Sequence, residues 1–204
     1  MLAIAIPDTI LEEKESLREK TSKLGSVARA CAIYGVDLVQ IFRDRSGKGE
    51  LPLIRTVLEY LETPQYMRRR LFPINESLKF AGLLPPLRIP SHKPKIDASK
   101  IRPGEVREGV SNPDGTVDIG LDVNPVVGPG LPGGRRVTVR IVSINPLRAE
   151  AVPREKVEDY WGYKVESKEV LELLAGKGGF LNVATSRLGD PLGASLSRLR
   201  TSMT

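Results

Sequence analysis

The apolar positions in the first part of the chain predict two strands joined by helical segments. The apolar run 2–6 predicts the first strand, and Thr9 with Glu12 has the spacing of a capping box that begins a helix. A second apolar run, 36–42, predicts another strand. Strands that alternate with helices in this way predict an α/β domain whose strands are mostly parallel.

The helix before the second strand carries a candidate functional residue. Its apolar residues recur at three- and four-residue spacing, and Gly35 follows where a left-handed helix stop is needed. Arg29 lies about two turns before the strand. Such an arginine either faces a cleft beside the sheet or is an ordinary solvated side chain, and this stretch alone leaves both interpretations open. The apolar positions of this helix are Leu24, Val27, Ala28, Cys31 and Ala32.

A further helix is predicted at 52–62, after a polar loop. Pro52 suits its first turn, and Thr63 followed by Pro64 ends it. Four aliphatic residues fall on one side at helical spacing, which predicts a face that packs on the sheet. These residues are Ile54, Val57, Leu58 and Leu61.

The segment that follows, QYMRRR, is the densest basic cluster of the chain. Tyr66 is placed to stack on a base, while Arg68, Arg69 and Arg70 are placed to meet phosphates. The alternative is a short charged helix whose long side chains extend over the surface.

The composition changes in the middle of the chain. Prolines interrupt 71–94, so we expect an irregular connection there. Residues 104–152 then contain several short alternating runs separated by turn segments such as NPDG and GPGLPGG. Several strands in so short a space suit a small five-stranded barrel of the OB type, which often binds oligonucleotides. GPGLPGG precedes a strand and AGKGG lacks P-loop spacing, so both are interpreted as turns.

The last part returns to an α/β rhythm. It predicts a strand at 160–166, a helix at 167–175 and a strand at 180–184. The loop 185–190 then falls at the carboxyl end of a predicted strand, where open α/β sheets place their ligands. The chain therefore divides into three parts. They are the first part of an α/β domain at 1–92, a barrel insertion at 93–159 and the second part of the α/β domain at 160–204.

Four segments, in order along the chain, resemble one known family. SVARACAIYGVD, YLETPQYMRR, FAGLLPPL and YWGYKV are similar to archaeal and eukaryotic RNA methyltransferases of the SPOUT (α/β-knot) superfamily that carry an inserted OB-like domain. The resemblance implies a SPOUT-like α/β-knot domain with an open, mostly parallel sheet, interrupted by an OB-like β-barrel. Lys23 stands where ribose methylases of the superfamily usually have Asn. Family members continue with further strands and loops beyond the equivalent of Thr204, so a truncated C-terminal knot region is expected.

The resemblance also implies an activity and its residues. Arg29 matches a catalytic arginine of the family, and the loop with Thr185, Ser186, Arg187 and Gly189 matches one that helps to enclose S-adenosylmethionine. The implied function is S-adenosylmethionine-dependent methyl transfer to structured ribosomal or transfer RNA, on a uridine base or on a ribose. A homodimer is implied as well.

Composition agrees with a nucleic-acid partner and argues against several kinds of site. A net charge of +6 and a pI near 9.5 favour a polyanionic partner, and Arg135 and Arg136 are further candidate RNA-binding residues in the barrel. Single residues of cysteine and histidine argue against a zinc site and a Ser/His/Asp triad, and no metal is expected. No apolar run reaches membrane-spanning length, so we expect a cytoplasmic protein without membrane contact.

Two other functions stay open on the sequence. In one, the protein or fragment lacks a complete cofactor site and binds RNA through the barrel without catalysis. In the other, it is an assembly protein whose positive charge is incidental.

Overall fold

Two sheets organise the molecule. The computed structural model describes residues 1–11, 14–44, 49–128, 130–174, 182–186, 188–189 and 193–194. The strands and helices in chain order are β1 (Ala3–Pro7), α1 (Leu17–Tyr34), β2 (Leu38–Phe42), α2 (Leu51–Glu62), α3 (Gln65–Leu71), β3 (Val106–Ser111), β4 (Val117–Asp118), β5 (Arg136–Ile144), β6 (Leu147–Ala151), β7 (Lys164–Lys168) and α4 (Val170–Leu174). A parallel sheet has the order β1-β2-β7, and an antiparallel sheet has the order β4-β3-β5-β6. The predicted α/β class with a β insertion is confirmed, while the knot stays a prediction.

The parallel sheet is built around β2. Leu38 pairs with Ala3 of β1 on one side and with Lys164 of β7 on the other. Val39 and Ile41 in this strand have no exposed surface. The apolar run in the sequence therefore reflects a central strand that is covered on both faces. The buried core around it comprises Leu11, Leu24, Ala28, Cys31, Val36, Val39, Ile41, Ile54, Val57, Leu58, Leu61, Leu87, Ile89 and Tyr163.

Helix α1 begins later than the sequence predicts. Ser16 is its N-cap: the Glu19 amide donates to the Ser16 hydroxyl at 3.3 Å, and the Ser16 amide donates to the Glu19 carboxylate at 2.7 Å. Thr9 lies in a turn instead, where its hydroxyl donates to Asp44. The predicted start at Thr9 is wrong because two capping-box spacings occur in succession and the second one directly precedes the helix. Gly35 ends the helix with φ of 64°, as predicted.

Helix α2 has the predicted buried face. Ile54, Val57 and Leu58 have no exposed surface. Burying each such side chain contributes about 1.5 to 3 kcal/mol to stability. Thr63 adopts an extended conformation, and its amide donates to Glu59 O at 3.1 Å, so the helix ends where predicted.

The antiparallel sheet curls because a short segment bridges its two edges. On one side Val117 N donates to Pro125 O at 3.1 Å, and on the other Val126 N donates to Leu147 O at 3.2 Å. Five segments are therefore hydrogen-bonded in a ring: β3, β4, the short segment around Val126, β5 and β6. Numbered one to five in this chain order, they neighbour each other in the cyclic order 1-2-3-5-4-1. The interior is apolar, and its buried residues are Ile101, Val117, Ile119, Val139, Ile141 and Ala149.

The chain returns to the parallel sheet through β7, which begins later than the predicted strand 160–166. The short helix α4 follows it directly. Residues 182–184 are not part of a strand, so the prediction of a strand at 180–184 is wrong for its described part. Its first two residues lie outside the described ranges. The proposed domain boundaries stay predictions.

Candidate functional site

Tyr66 on α3 packs against the antiparallel sheet. Its hydroxyl donates to Glu108 O at 2.6 Å, and burial raises the pKa of the phenol. A Cβ on Gly120 would lie 3.1 Å from the Tyr66 ring, so the glycine lets the ring approach the chain. The predicted stacking of Tyr66 on an RNA base has no support in this arrangement, because the ring is held between two parts of the protein.

The three arginines of α3 have different surroundings. Arg68 is buried and donates to Thr63 O at 2.8 Å and Leu61 O at 3.1 Å, and burial lowers the pKa of its guanidinium. Arg70 donates to Asn112 at 2.8 Å and forms an ion pair with Asp118 at 3.4 Å. Arg69 is exposed and makes no hydrogen bond or ion pair within the described residues. Of the three predicted phosphate ligands in this cluster, Arg69 is the one that is exposed and has no partner among the described residues.

The two candidate arginines of the barrel are also unlike each other. The Arg135 side chain is exposed, and its amide donates to the Ser111 hydroxyl at 3.0 Å. Arg136 forms ion pairs with Glu62 at 2.5 Å and with Glu108 at 2.6 Å. Burial opposes the charge on Arg136, but the two carboxylates outweigh it and raise the pKa of the guanidinium. Its prediction as an RNA ligand therefore gains no support from the geometry.

Glu108, like Glu62, is a buried carboxylate that pairs with Arg136. It accepts hydrogen bonds from Thr138 at 2.6 Å, from the Trp161 indole and from Arg136. Burial would raise the pKa of Glu108, yet Arg136 and the neutral donors hold it below its ordinary value. The carboxylate is therefore ionised at neutral pH and fixed from three sides.

Arg29 lies on the solvent side of α1. Its guanidinium makes no hydrogen bond or ion pair within the described residues, while Leu24, Ala28 and Cys31 on the opposite side pack into the core. Burial raises the pKa of the Cys31 thiol to about 11, so that thiol is an unreactive core group at neutral pH. Lys23 is paired with Glu15 at 2.5 Å. The helix thus presents Arg29 to solvent with its charge unpaired.

A set of contacts at the carboxyl ends of β1 and β2 was not predicted from the sequence. The Asp8 amide donates to Phe42 O at 2.8 Å, its carboxylate accepts from the Asp44 amide at 2.9 Å, and its carbonyl accepts from the Glu50 amide at 2.9 Å. A Cβ on Gly49 would overlap the Asp8 carboxylate, at 1.9 Å. Asp8 therefore fixes both ends of the loop after β2, at the sheet edge where open α/β sheets bind ligands. An acidic residue directly after the first strand is the only sequence signal for it.

The predicted cofactor loop is partly described. Thr185 and Ser186 are exposed, the Ser186 hydroxyl accepts from Leu188 N at 3.1 Å, and Gly189 N donates to Ser186 O at 3.2 Å. Arg187 lies outside the described residues. Hydroxyl groups such as that of Thr185 are chemically compatible with a polar cofactor, so its binding at this loop stays a prediction.

Two clefts lie near the candidate residues. One, of about 390 Å³, lies on the curled sheet, and the other, of about 370 Å³, lies between the two sheets. The first is lined by Pro113, Asp114, Gly115, Val126, Gly128, Gly130 and Leu131. The second includes Glu62, Phe72, Arg136, Arg154 and Val165.

Two kinds of feature are absent from the described part of the chain. It contains no group of three or more His, Cys, Asp or Glu side chains placed to hold a metal ion. None of its helices is both long and apolar enough to cross a lipid bilayer.

Similarity to known proteins extends over almost the whole chain. The model of a family described as "Putative RNA methyltransferase" matches residues 1–202. An uncharacterised protein of Halobacterium salinarum is 33% identical over 97% of this chain and 72% of its own length. The 28S rRNA (uridine-N(3))-methyltransferase of Homo sapiens is 32% identical over 98% of this chain and 61% of its own length. Because the family match covers all but the last two residues, the protein belongs to this RNA methyltransferase family.

Proposed function

We propose that the protein transfers a methyl group from S-adenosylmethionine to a uridine base of structured RNA. The match of residues 1–202 to the RNA methyltransferase family carries this proposal. The human and Drosophila relatives named as 28S rRNA (uridine-N(3))-methyltransferases favour the base over the ribose as acceptor. A ribosomal RNA is accordingly the substrate class to test first.

In this proposal the curled sheet binds the RNA, and the part with the parallel sheet carries the methyl transfer. The cyclic order 1-2-3-5-4-1 of the curled sheet is that of a five-stranded OB-type barrel, a scaffold that binds oligonucleotides. In such barrels the second and third strands and the loop after the first strand contact the nucleic acid. The cleft of about 390 Å³ lies at the corresponding place, between the turn 113–115 and the residues after Val126.

Exposed cations supply the sequence-independent part of RNA binding. Arg69 on α3 and Arg135 beside the barrel are free of protein carboxylates in the described part of the chain. Contacts between such arginines and phosphates release counterions, so the affinity should fall steeply with salt. Tyr66, Arg68, Arg70 and Arg136 are assigned to holding the protein together instead.

Arg29 is assigned a role beside the RNA group that accepts the methyl group. Its guanidinium has no partner among the described residues and presents several N–H donors in a fixed fork, a geometry that suits the orientation of a phosphate and the stabilisation of negative charge that develops on the acceptor. An arginine stays protonated at working pH, so it acts by electrostatics rather than by accepting a proton.

The cofactor loop is assigned to the methyl donor. Thr185, Ser186, Arg187 and Gly189 would hold S-adenosylmethionine, which supplies the methyl group from a sulfonium when bound. The exposed hydroxyl of Thr185 and the main chain beside it are available as hydrogen-bonding groups. The protein's contribution to the transfer is mainly alignment of the acceptor with the donor.

The test is transfer of a tritiated methyl group from S-adenosylmethionine to ribosomal RNA. Arg29→Ala should lower the rate by about 100-fold, the typical effect of removing one donor to a developing charge. Arg18→Ala, another exposed arginine of α1, is the matched control and should retain activity. Saturable RNA binding without any label in the RNA would refute the proposed activity.

A further inference from the structure

Glu62, the last residue of α2, is a buried carboxylate with an exposed fraction of 3%, and its polar groups contact several other segments. Its carboxylate accepts two hydrogen bonds from Arg136, at 2.5 and 3.1 Å, and one from Arg154 at 2.7 Å. Its main-chain carbonyl accepts a hydrogen bond from the His92 ring at 2.7 Å. Both polar ends of this residue are therefore occupied by side chains from other parts of the chain.

The three partners lie on three different segments of the chain. His92 lies in the connection that leads from the parallel sheet to the barrel. Arg136 begins strand β5 of the barrel, and Arg154 lies in the connection that returns to β7. One residue on α2 thus holds the outgoing chain, the barrel and the returning chain.

The charges at this junction balance. Glu62 and Glu108 provide two buried carboxylates, while Arg136 and Arg154 provide two guanidinium groups. Removing one member of such a set leaves a charge that lacks its partner in a poorly solvated place. The set is therefore stable in one arrangement of the two sheets and costly in others.

A glycine of the returning chain allows this chain to lie close to the Glu62 carboxylate. Gly162 has φ of 102°, and a Cβ on it would lie 2.5 Å from the Glu62 carboxylate. Arg154 also donates to Trp161 O at 3.0 Å, so the returning chain is tied to the same place. The close approach requires a glycine, which shows that the contact is tightly packed rather than a loose surface pair.

We propose that Glu62 is a positioning residue that fixes the barrel relative to the parallel sheet, so that an RNA held by the barrel meets Arg29 and the cofactor loop in one orientation. This inference rests on the proposed function. Glu62 touches neither cofactor nor acceptor in this role. It acts through Arg136 and Arg154.

The geometric part is tested by pulsed electron paramagnetic resonance on the whole chain. The only native cysteine, Cys31, is buried and unreactive, so spin labels can be placed selectively at Ser22→Cys on α1 and Glu150→Cys on β6. The wild-type background should give one narrow distance distribution. Glu62→Gln should broaden it about twofold, because domains without a strong interface move relative to each other by default.

Glu59→Gln is the matched control. It lies one turn earlier on α2, and its carboxylate pairs with Arg55 at 2.8 Å rather than with Arg136 or Arg154, so the distribution should stay narrow. Of the ion pairs of Glu62, Arg154→Gln removes only the one with the returning connection, so the distance distribution should have an intermediate width. This variant keeps the test available if Glu62→Gln folds poorly. An unchanged distribution in folded Glu62→Gln and Arg154→Gln would overturn the proposal, whether or not the protein methylates RNA.

The kinetic part uses ribosomal RNA, with rates expressed per bound S-adenosylmethionine so that unfolded protein does not count. Glu62→Gln should lower kcat by about 10- to 100-fold with little change in KM, since a misplacement of about 1 Å can cost about 100-fold. Equal kcat for Glu62→Gln and wild type would refute the positioning role. Absence of methylation in the wild type would refute the proposed function and leave the distance measurement to decide the geometry.

Discussion

The contact between Gly120 and Tyr66 gives a quantitative test of how α3 packs on the barrel. Gly120 has φ of 77°, and a Cβ there would lie 3.1 Å from the Tyr66 ring. Gly104 has a similar φ, 82°, but a Cβ there would meet no atom within 4 Å. A side chain at either glycine therefore has the cost of a positive φ, but only a side chain at Gly120 would also contact the Tyr66 ring.

The expected energies follow from this difference. An alanine in the left-handed region costs about 1 to 2 kcal/mol at either position. Overpacking against the held Tyr66 ring adds about 1 to 3 kcal/mol at Gly120. Gly104→Ala should thus lower the free energy of unfolding by about 1 to 2 kcal/mol, and Gly120→Ala by about 2 to 5 kcal/mol.

Urea denaturation with a common m value measures both changes. The double variant Gly120→Ala/Tyr66→Ala should lose less than the sum of its two single changes, because the clash disappears with the ring. Equal destabilisation by Gly104→Ala and Gly120→Ala, or strict additivity in the double variant, would show that α3 does not pack on Gly120 as described.

Three further predictions test the core, the buried histidine and the free arginine. Leu58→Ala, at a side chain with no exposed surface, should lose about 2 to 5 kcal/mol of unfolding free energy, whereas Leu83→Ala, 69% exposed, should lose less than about 0.5 kcal/mol; similar losses in urea titrations would contradict the assigned core. Burial lowers the pKa of His92, the sole histidine, below 6.5, so the unfolded chain binds a proton that the folded chain does not. The unfolding free energy should therefore fall as pH drops below about 6.5, and His92→Gln should remove this dependence in denaturation curves at pH 5 to 8; the same slope in the variant would exclude His92 as its source. Arg69→Gln should weaken RNA binding and reduce the slope of log affinity against log salt by about 1, and an unchanged slope in filter-binding assays would remove Arg69 from the interface.

Local sequence patterns predicted the elements whose causes are local. Gly35 ends α1 because the residue after the helix adopts a left-handed conformation, which glycine adopts most easily. The aliphatic residues of α2 are buried together because their spacing matches the helical period. The start of α1 was misplaced because Thr9 and Ser16 each have a glutamate three residues later. The pattern does not say which of the two spacings is used.

The roles of the basic residues could not be predicted in this way. Tyr66 finds its partner Glu108 at a separation of 42 residues, and Arg136 finds Glu62 at a separation of 74 residues. Such pairs form only when the antiparallel sheet packs against the α/β part. The basic cluster therefore contains arginines with partners in the protein, Arg68 and Arg70, beside Arg69, which has none among the described residues, and the sequence does not distinguish them.

The most direct test of the account is identification of the methylated nucleoside. Ribosomal RNA is incubated with the protein and S-adenosylmethionine, digested to nucleosides and examined by liquid chromatography with mass spectrometry, with Arg29→Ala in parallel. The account predicts N3-methyluridine with the wild type and a strong reduction with the variant. Recovery of 2′-O-methyluridine instead would contradict the base as acceptor, and no methylated nucleoside from folded, RNA-bound protein would contradict the methyltransferase assignment itself.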